Sequence, residues 1–230
     1  METADDGMMA ARDSVLDAAL VHVPFDGWSD LTFRAAVTES GVAAGLAHAL
    51  FPRGAVDLAL AYHKRGDAAM RARMAATDLA AMRYSERVAA GVRFRLEAAT
   101  DKEAVRRGTT LFALPIHAAD GARAIWGTAD AIWNALGDTS RDLNWYTKRA
   151  TLSAVYASTV LFWLGDDSVG HQASWAFLDR RIEDVMRIEK LKASVRNNPL
   201  GKALLAGPMK LLDRVKAPHL PDDLPGNFRF

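Results

Sequence analysis

Apolar residues recur at helical spacing along most of this chain, and no segment sustains the alternation expected of a half-buried strand. A first helix is predicted over residues 10–22, where Val15, Leu16, Ala19 and Leu20 share a face, and it ends before Pro24 and Gly27. Ser29 or Asp30 caps a second helix that runs to about Ser40, and Gly41 stops it. A short helix follows over 44–50, after which Pro52 restarts the chain into a long helix through Val56, Ala59, Leu60 and His63. Further helices are predicted over 78–99, 101–114 and 117–136, the last two separated by Pro115. Two longer ones span 142–164 and 172–191. The pattern is that of an all-α bundle of about nine helices with a C-terminal amphipathic helix added. No internal repeat or low-complexity linker divides it, so residues 10–192 read as a single domain.

The helix over 142–164 carries Leu152, Val155, Tyr156, Thr159, Phe162 and Trp163 on one wide stripe, and such a stripe faces a core. Trp145 is in phase with it, but Lys148 and Arg149 interrupt the same side. Burial is expected to end there, leaving Trp145 and Tyr146 beyond the core beside Ile132 and Trp133. Five of the six tryptophans fall between residues 126 and 175, so the segment is either a thick core or a surface that meets something apolar. Trp145, Tyr146, Ile132 and Trp133 form the candidate partner-binding patch. The alternative is that Trp145 folds back as a lid with Arg149 stacked over it. The next helix has Trp175, Leu178, Ile182, Val185 and Met186 on one face and charges on the other. It serves equally well to complete the core or to build a homodimer interface.

Composition narrows the partners. Half of the 230 residues are hydrophobic, which excludes a disordered chain, and 29 basic against 28 acidic side chains leave a net charge of only +1. That total hides an asymmetry: residues 190–216 hold seven cations and one acid, a local charge of +6. There Asn198 and Pro199 can open a helix whose apolar face holds Leu204, Leu205, Leu211 and Leu212, flanked by Lys202, Lys210 and Arg214. These seven are the candidate membrane-binding residues, on an interfacial helix drawn to an anionic membrane surface. Gly201, Gly207 and Pro208 weaken that helix, and residues 193–216 are expected to be a linker plus this helix, followed by an irregular tail over 217–230. The first residues are acidic and lack the apolar run of a signal peptide, and they are expected to be a short mobile tail.

Candidate chemistry is thin. The chain has no cysteine, and its six histidines are scattered without the spacing that puts two metal ligands on one helix face. Glycine-rich phosphate loops and a nucleophile elbow are missing from the sequence. Asp166, Asp167 and Ser168 fit a turn in which Gly165 stops one helix and Asp167 or Ser168 caps the next, and His117 with Asp120 fits a satisfied pair. No catalytic residue, metal site or cofactor is assigned, and the chain is expected not to be an enzyme.

The first fifty residues, with an apolar helix, a Gly-Trp-Ser start into a second helix, the Glu39–Val42 turn, a short third helix and Phe51-Pro52 leading into a long one, resemble the N-terminal helix-turn-helix of TetR-type repressors. The would-be reading helix, AAGLAHAL, has no cation to meet phosphate or base edges, so nucleic acid is not an expected partner. GDTSRDLNWYTKRATLSAVYASTVLFWL, then WAFLDRRIEDVM, together with VPFDGWSDLTFRAA and LFPRGAVDLALAYHKRGD upstream, are similar to the Coq-nine family of ubiquinone-biosynthesis accessory proteins. The resemblance covers roughly residues 10–192. It implies a TetR-like fold with a helix-turn-helix-like part over 10–52 and a ligand-binding part over 53–192. It further implies a pocket for an isoprenoid quinone or other lipid, with Leu111, Leu114, Val155 and Tyr156 as candidate lining. Its implied partner is the di-iron demethoxyubiquinone hydroxylase, docked on the tryptophan of the Asn-Trp-Tyr-Thr motif, here Trp145. The expected setting is cytoplasmic, peripheral on the inner face of a bacterial inner membrane. The competing reading is a TetR-like ligand-responsive transcription regulator.

Overall fold

The computed structural model describes residues 2–197, and the side chains of residues 6–187. The candidate membrane-binding residues Lys202, Leu204, Leu205, Lys210, Leu211, Leu212 and Arg214 lie outside that range. Nine α-helices and no strand occur among the described residues, as the periodicity predicts. They are α1 (Glu2–Asp26), α2 (Asp30–Ser40), α3 (Ala44–Leu50), α4 (Ala55–Ala76), α5 (Tyr84–Glu97), α6 (Lys102–Ala113), α7 (Ala118–Ala135), α8 (Leu143–Leu164) and α9 (Gln172–Asn197).

Capping fixes many of these boundaries. The Ser29 hydroxyl accepts from the Thr32 amide at 3.2 Å to open α2, and Gly41, at a φ of 67°, closes it in the left-handed region that glycine adopts freely. Asp101 and Asp142 cap α6 and α8 by accepting from amides at 2.7 Å and 3.0 Å. Three boundaries differ from expectation. Helix α1 begins at Glu2, where a tail was expected, and continues past Pro24 to Asp26, after which the Gly27 amide still reaches the Val23 carbonyl at 2.9 Å. Pro24 lies in the last turn, so it removes one ladder bond without breaking the helix, and its carbonyl accepts from Arg107 at 3.0 Å. The helix expected over 78–99 is interrupted at residues 82–83, because Asp78 caps a short 3₁₀ turn and Arg87 takes up the carbonyls of Met82 and Ala80 at 2.9 and 3.0 Å. After α8 the Ser168 hydroxyl accepts from the Ala173 amide at 3.1 Å, as one of the two expected caps, and the acid that joins it is Asp166 rather than Asp167: it accepts from the Ser168 amide at 2.8 Å and the Ser174 amide at 2.9 Å.

Two hydrophobic clusters hold the helices together. One gathers Val15, Leu16, Phe33, Phe51 and Leu58 from α1, α2, the α3–α4 connection and α4. The other gathers Met70, Val92, Leu96, Ile132, Leu152, Tyr156, Trp163 and Leu178 from α4, α5, α7, α8 and α9. Helix α4 contributes to both and packs against α5 and α7. At roughly 2 kcal/mol for a fully buried large apolar side chain, each cluster is a substantial share of the driving force for folding. The stripe on α8 is buried as expected at Leu152, Val155, Tyr156, Thr159 and Trp163, whereas Phe162 is partly exposed and stacks on Phe177 at 4.5 Å. Among the described residues no helix is long and apolar enough to cross a membrane.

Candidate functional site

A cavity of about 400 Å³ opens where the two clusters meet. Trp28, Ala59 and Ala104 of one cluster form part of its wall, and Leu96, Tyr156 and Val160 of the other face them. The space exists because small residues leave it free: Ala99, Gly108, Ala118, Gly121, Ala122 and Ala157 all contribute lining. Gly121 lets α7 approach α6 closely, since a Cβ there would sit 2.7 Å from that of Phe112. Trp28 anchors the α1–α2 connection to this wall by donating its indole hydrogen to the Ala104 carbonyl at 3.1 Å. An apolar cavity of this size is within the range of small-molecule sites, and it exceeds the engineered apolar cavities of about 150 Å³ that stay dry and admit benzene.

One part of the wall is polar. Asp67 and Arg95 form a buried ion pair at 2.6 Å, and Thr128 donates to the same carboxylate oxygen at 2.8 Å. Arg95 also donates to the His63 carbonyl at 3.0 Å. Its guanidinium lies flat against α4 only because residue 66 is glycine; a Cβ there would come within 2.5 Å of Nη1. Pairing removes most of the cost of burying these charges. His63 contacts Thr128 at 2.8 Å and the Ala124 carbonyl at 3.1 Å through Nε2. Burial, aided by the Arg95 charge, pushes its pKa down to about 4, so the ring is neutral at physiological pH. Burial likewise raises the phenols of Tyr62 and Tyr156 above their ordinary values.

The expected lining is corrected in part. Tyr156 lines the cavity, but Leu111 packs against the first cluster and Leu114 is half-exposed, because α6 turns Val105, Gly108, Thr109 and Phe112 inward. Val155 faces a second cavity of about 240 Å³ between α5, α8 and α9, together with Trp133, Lys148 and Ile182.

The expected partner patch is rearranged more deeply. Ile132 and Trp133 are core residues, 0% and 7% exposed; Ile132 nestles against α5 where Gly91 leaves room. Burial does not end at Lys148 and Arg149. Arg149 is 1% exposed and binds Asp130 at 2.5 Å, Asp138 at 3.1 Å and the Asn134 side chain at 3.2 Å. Desolvation pushes the Asp138 carboxyl up, but hydrogen bonds from Lys148, Ser140 and Arg149 outweigh it and hold the pKa at about 2. The Arg149 guanidinium stacks 4.0 Å from the Trp145 ring centre, which is the lid arrangement. Trp145 and Tyr146 are half-buried, and Trp126, at 5.9 Å from Trp145, replaces Trp133 in the surface aromatic group. Of the other suspected groups, Asp120 pairs with Arg53 at 2.8 Å and not with His117. Among the described residues no acidic or histidine cluster could hold a metal.

Comparison with known proteins bears directly on this architecture. The COQ9 family model matches residues 118–189, which run from α7 into α9. A Drosophila melanogaster protein named a mitochondrial ubiquinone biosynthesis protein is 30% identical over 187 residues, covering 79% of this chain and 57% of its own length. Its human namesake is 33% identical over 103 residues, covering 45% of this chain and 32% of its own. The chain thus spans little more than half, or less, of the relatives it matches. A TetR transcriptional regulator from Nitrosomonas europaea superposes with a TM-score of 0.61 at 20% identity, covering 75% of this chain and 95% of the regulator, a likeness of fold alone. The relatives also overturn the expected placement on a bacterial inner membrane, because they are named mitochondrial proteins. The resemblance to the Coq-nine family read in the sequence is borne out, on an all-α fold of TetR type.

Proposed function

We propose that this chain is a non-catalytic lipid-binding protein of ubiquinone biosynthesis, and that the cavity between the two clusters takes up the prenyl part of an isoprenoid quinone intermediate. The observation that carries the reading is the cavity itself: about 400 Å³, walled mostly by alanine, glycine, aliphatic and aromatic side chains, with His63 and Arg95 among its few polar groups. A prenyl chain is nearly insoluble in water, so an apolar enclosure lowers the cost of lifting its head group out of a bilayer. In this reading the larger part, residues 53–192, holds the ligand, while the smaller part over 10–52 keeps the outline of a helix-turn-helix without its cations. The basic segment over 193–216 supplies contact with an anionic membrane surface. The aromatic group of Trp145, Tyr146 and Trp126 docks the demethoxyubiquinone hydroxylase, to which the ligand is presented. Regulation of transcription is the weaker reading, since α3 offers no cation to a phosphate backbone.

The test is mass spectrometry of lipids extracted from the purified chain, with Ala157→Trp as a blocked-cavity control. Isoprenoid lipid is expected in the wild type and at least tenfold less in the variant. No loadable isoprenoid in the wild type overturns the reading.

A further inference from the structure

The polar side of the cavity has a direction. The carbonyl of Ala124 can only accept, and Thr128 directs its own hydrogen to the Asp67 carboxylate at 2.8 Å. His63 Nε2, 3.1 Å from that carbonyl and 2.8 Å from the Thr128 oxygen, must therefore carry the ring hydrogen. In a neutral imidazole the other nitrogen, Nδ1, is then a bare lone pair. It has no hydrogen-bond partner among the described residues, and unlike Nδ1 of His171 it is not sealed inside the protein. His63 lines the cavity, its side chain is only 17% exposed, and its Nε2 is engaged by α7, which leaves Nδ1 as the ring nitrogen available to an occupant. The one full positive charge nearby does not compete for the same role. Arg95 is neutralised by Asp67 and anchored to the His63 carbonyl.

We propose that His63 Nδ1 is the head-group acceptor of this cavity, taking a hydrogen bond from the hydroxyl of a prenylated phenol or hydroquinone, so that the site selects the reduced head group over the quinone. This rests on the reading of the cavity as an isoprenoid site and adds to it a redox preference and the residue responsible. The chain Asp67, Thr128, His63 sets that preference: the carboxylate orients the threonine hydroxyl, the threonine oxygen fixes the tautomer, and the tautomer leaves an acceptor. A quinone carries acceptors only. Its oxygen would meet the Nδ1 lone pair with no hydrogen between them, and a buried acceptor left unmatched in this way weakens binding. A hydroquinone of the same shape supplies the missing hydrogen.

The experiment is anaerobic titration of the full chain with a short-chain prenylated hydroquinone and with its matched quinone, followed by tryptophan quenching. The wild type is expected to bind the hydroquinone about tenfold more tightly, the scale of one hydrogen bond to a buried group. His63→Leu is expected to lose that preference, binding hydroquinone and quinone within about twofold of each other. Nitrogen NMR of the unmodified protein provides a readout independent of whether the variant folds. The His63 Nδ1 resonance should shift from the bare-acceptor position toward the hydrogen-bonded one with hydroquinone, and stay in place with quinone. Equal binding of both head groups, or an unmoved Nδ1 resonance on saturation with hydroquinone, overturns the proposal and leaves the isoprenoid cavity standing. Failure of both ligands to bind overturns both.

Discussion

Arg149→Met is the most informative single change. Arg149 is the largest of the fully buried side chains, at 1% exposure, and it joins three parts of the chain: Asp130 and Asn134 on α7, Asp138 in the following turn, and the Trp145 carbonyl on its own helix. Methionine keeps an unbranched apolar stem but removes every donor. Asp138, whose side chain is 3% exposed, is then left with Lys148 and Ser140 alone. Breaking a buried ion pair from one side costs about 3–5 kcal/mol, and because Asp130 is 35% exposed the lower end applies. At roughly 2–4 °C per kcal/mol for a chain of this size, the midpoint of a thermal melt at pH 7 should fall by about 6–12 °C. The pH dependence has a definite sign. The folded pKa of Asp138, about 2, lies below the ordinary value near 3.9, so its contribution is complete above pH 4 and is lost as the pH falls toward 2. The gap between wild type and variant should be full at pH 7 and smaller at pH 3, where urea unfolding can measure it. Arg83→Met, which removes an exposed local pair with Glu86, serves as control and should leave the melt unchanged. A loss under about 2 °C at pH 7, or a gap equal at pH 3 and pH 7, would refute the reasoning.

Two further changes address the cavity wall and the surface. Gly66→Ala places a Cβ within 2.5 Å of the Arg95 guanidinium and must displace it from Asp67; destabilisation of roughly 1–3 kcal/mol is expected, seen as a lower urea midpoint at unchanged slope. Trp145→Ala should leave the helical circular dichroism intact and weaken hydroxylase capture at least tenfold; unchanged capture by a folded variant removes the docking assignment.

The elements were legible because their signals are local. Ser29, Gly41, Asp101 and Asp142 sit next to the boundaries they set, and the α8 stripe lies within a single helix. What could not be read depended on distant groups. Nothing near Arg149 in sequence announces that Asp130 and Asp138, 19 and 11 residues away, would neutralise it, so a charged residue read as the edge of burial became its centre. The lining of the cavity was missed for a different reason. Large residues such as Leu111 and Leu114 were favoured, but a cavity is made where side chains are small, and Gly108, Gly121 and Ala122 were the better signal. His63 and Asp67 are one helical turn apart and visible as a pair. Their completion by Arg95 and Thr128, 28 and 61 residues from Asp67, was not.

The position of the cavity at the meeting of two clusters ties its occupancy to the smaller, helix-turn-helix-like part of the chain. Trp28, in the α1–α2 connection, both lines the cavity and bonds to α6, and Arg107 of α6 holds the Pro24 carbonyl at 3.0 Å. The first helices are therefore not a separate head on a binding domain: they supply part of the wall. An apolar occupant touching Trp28 on one side and Tyr156 on the other buries surface belonging to both clusters. Its binding free energy adds to the association of one cluster with the other, as any ligand selective for the assembled state must. Removing the first three helices would therefore open the cavity to water along the Trp28 side.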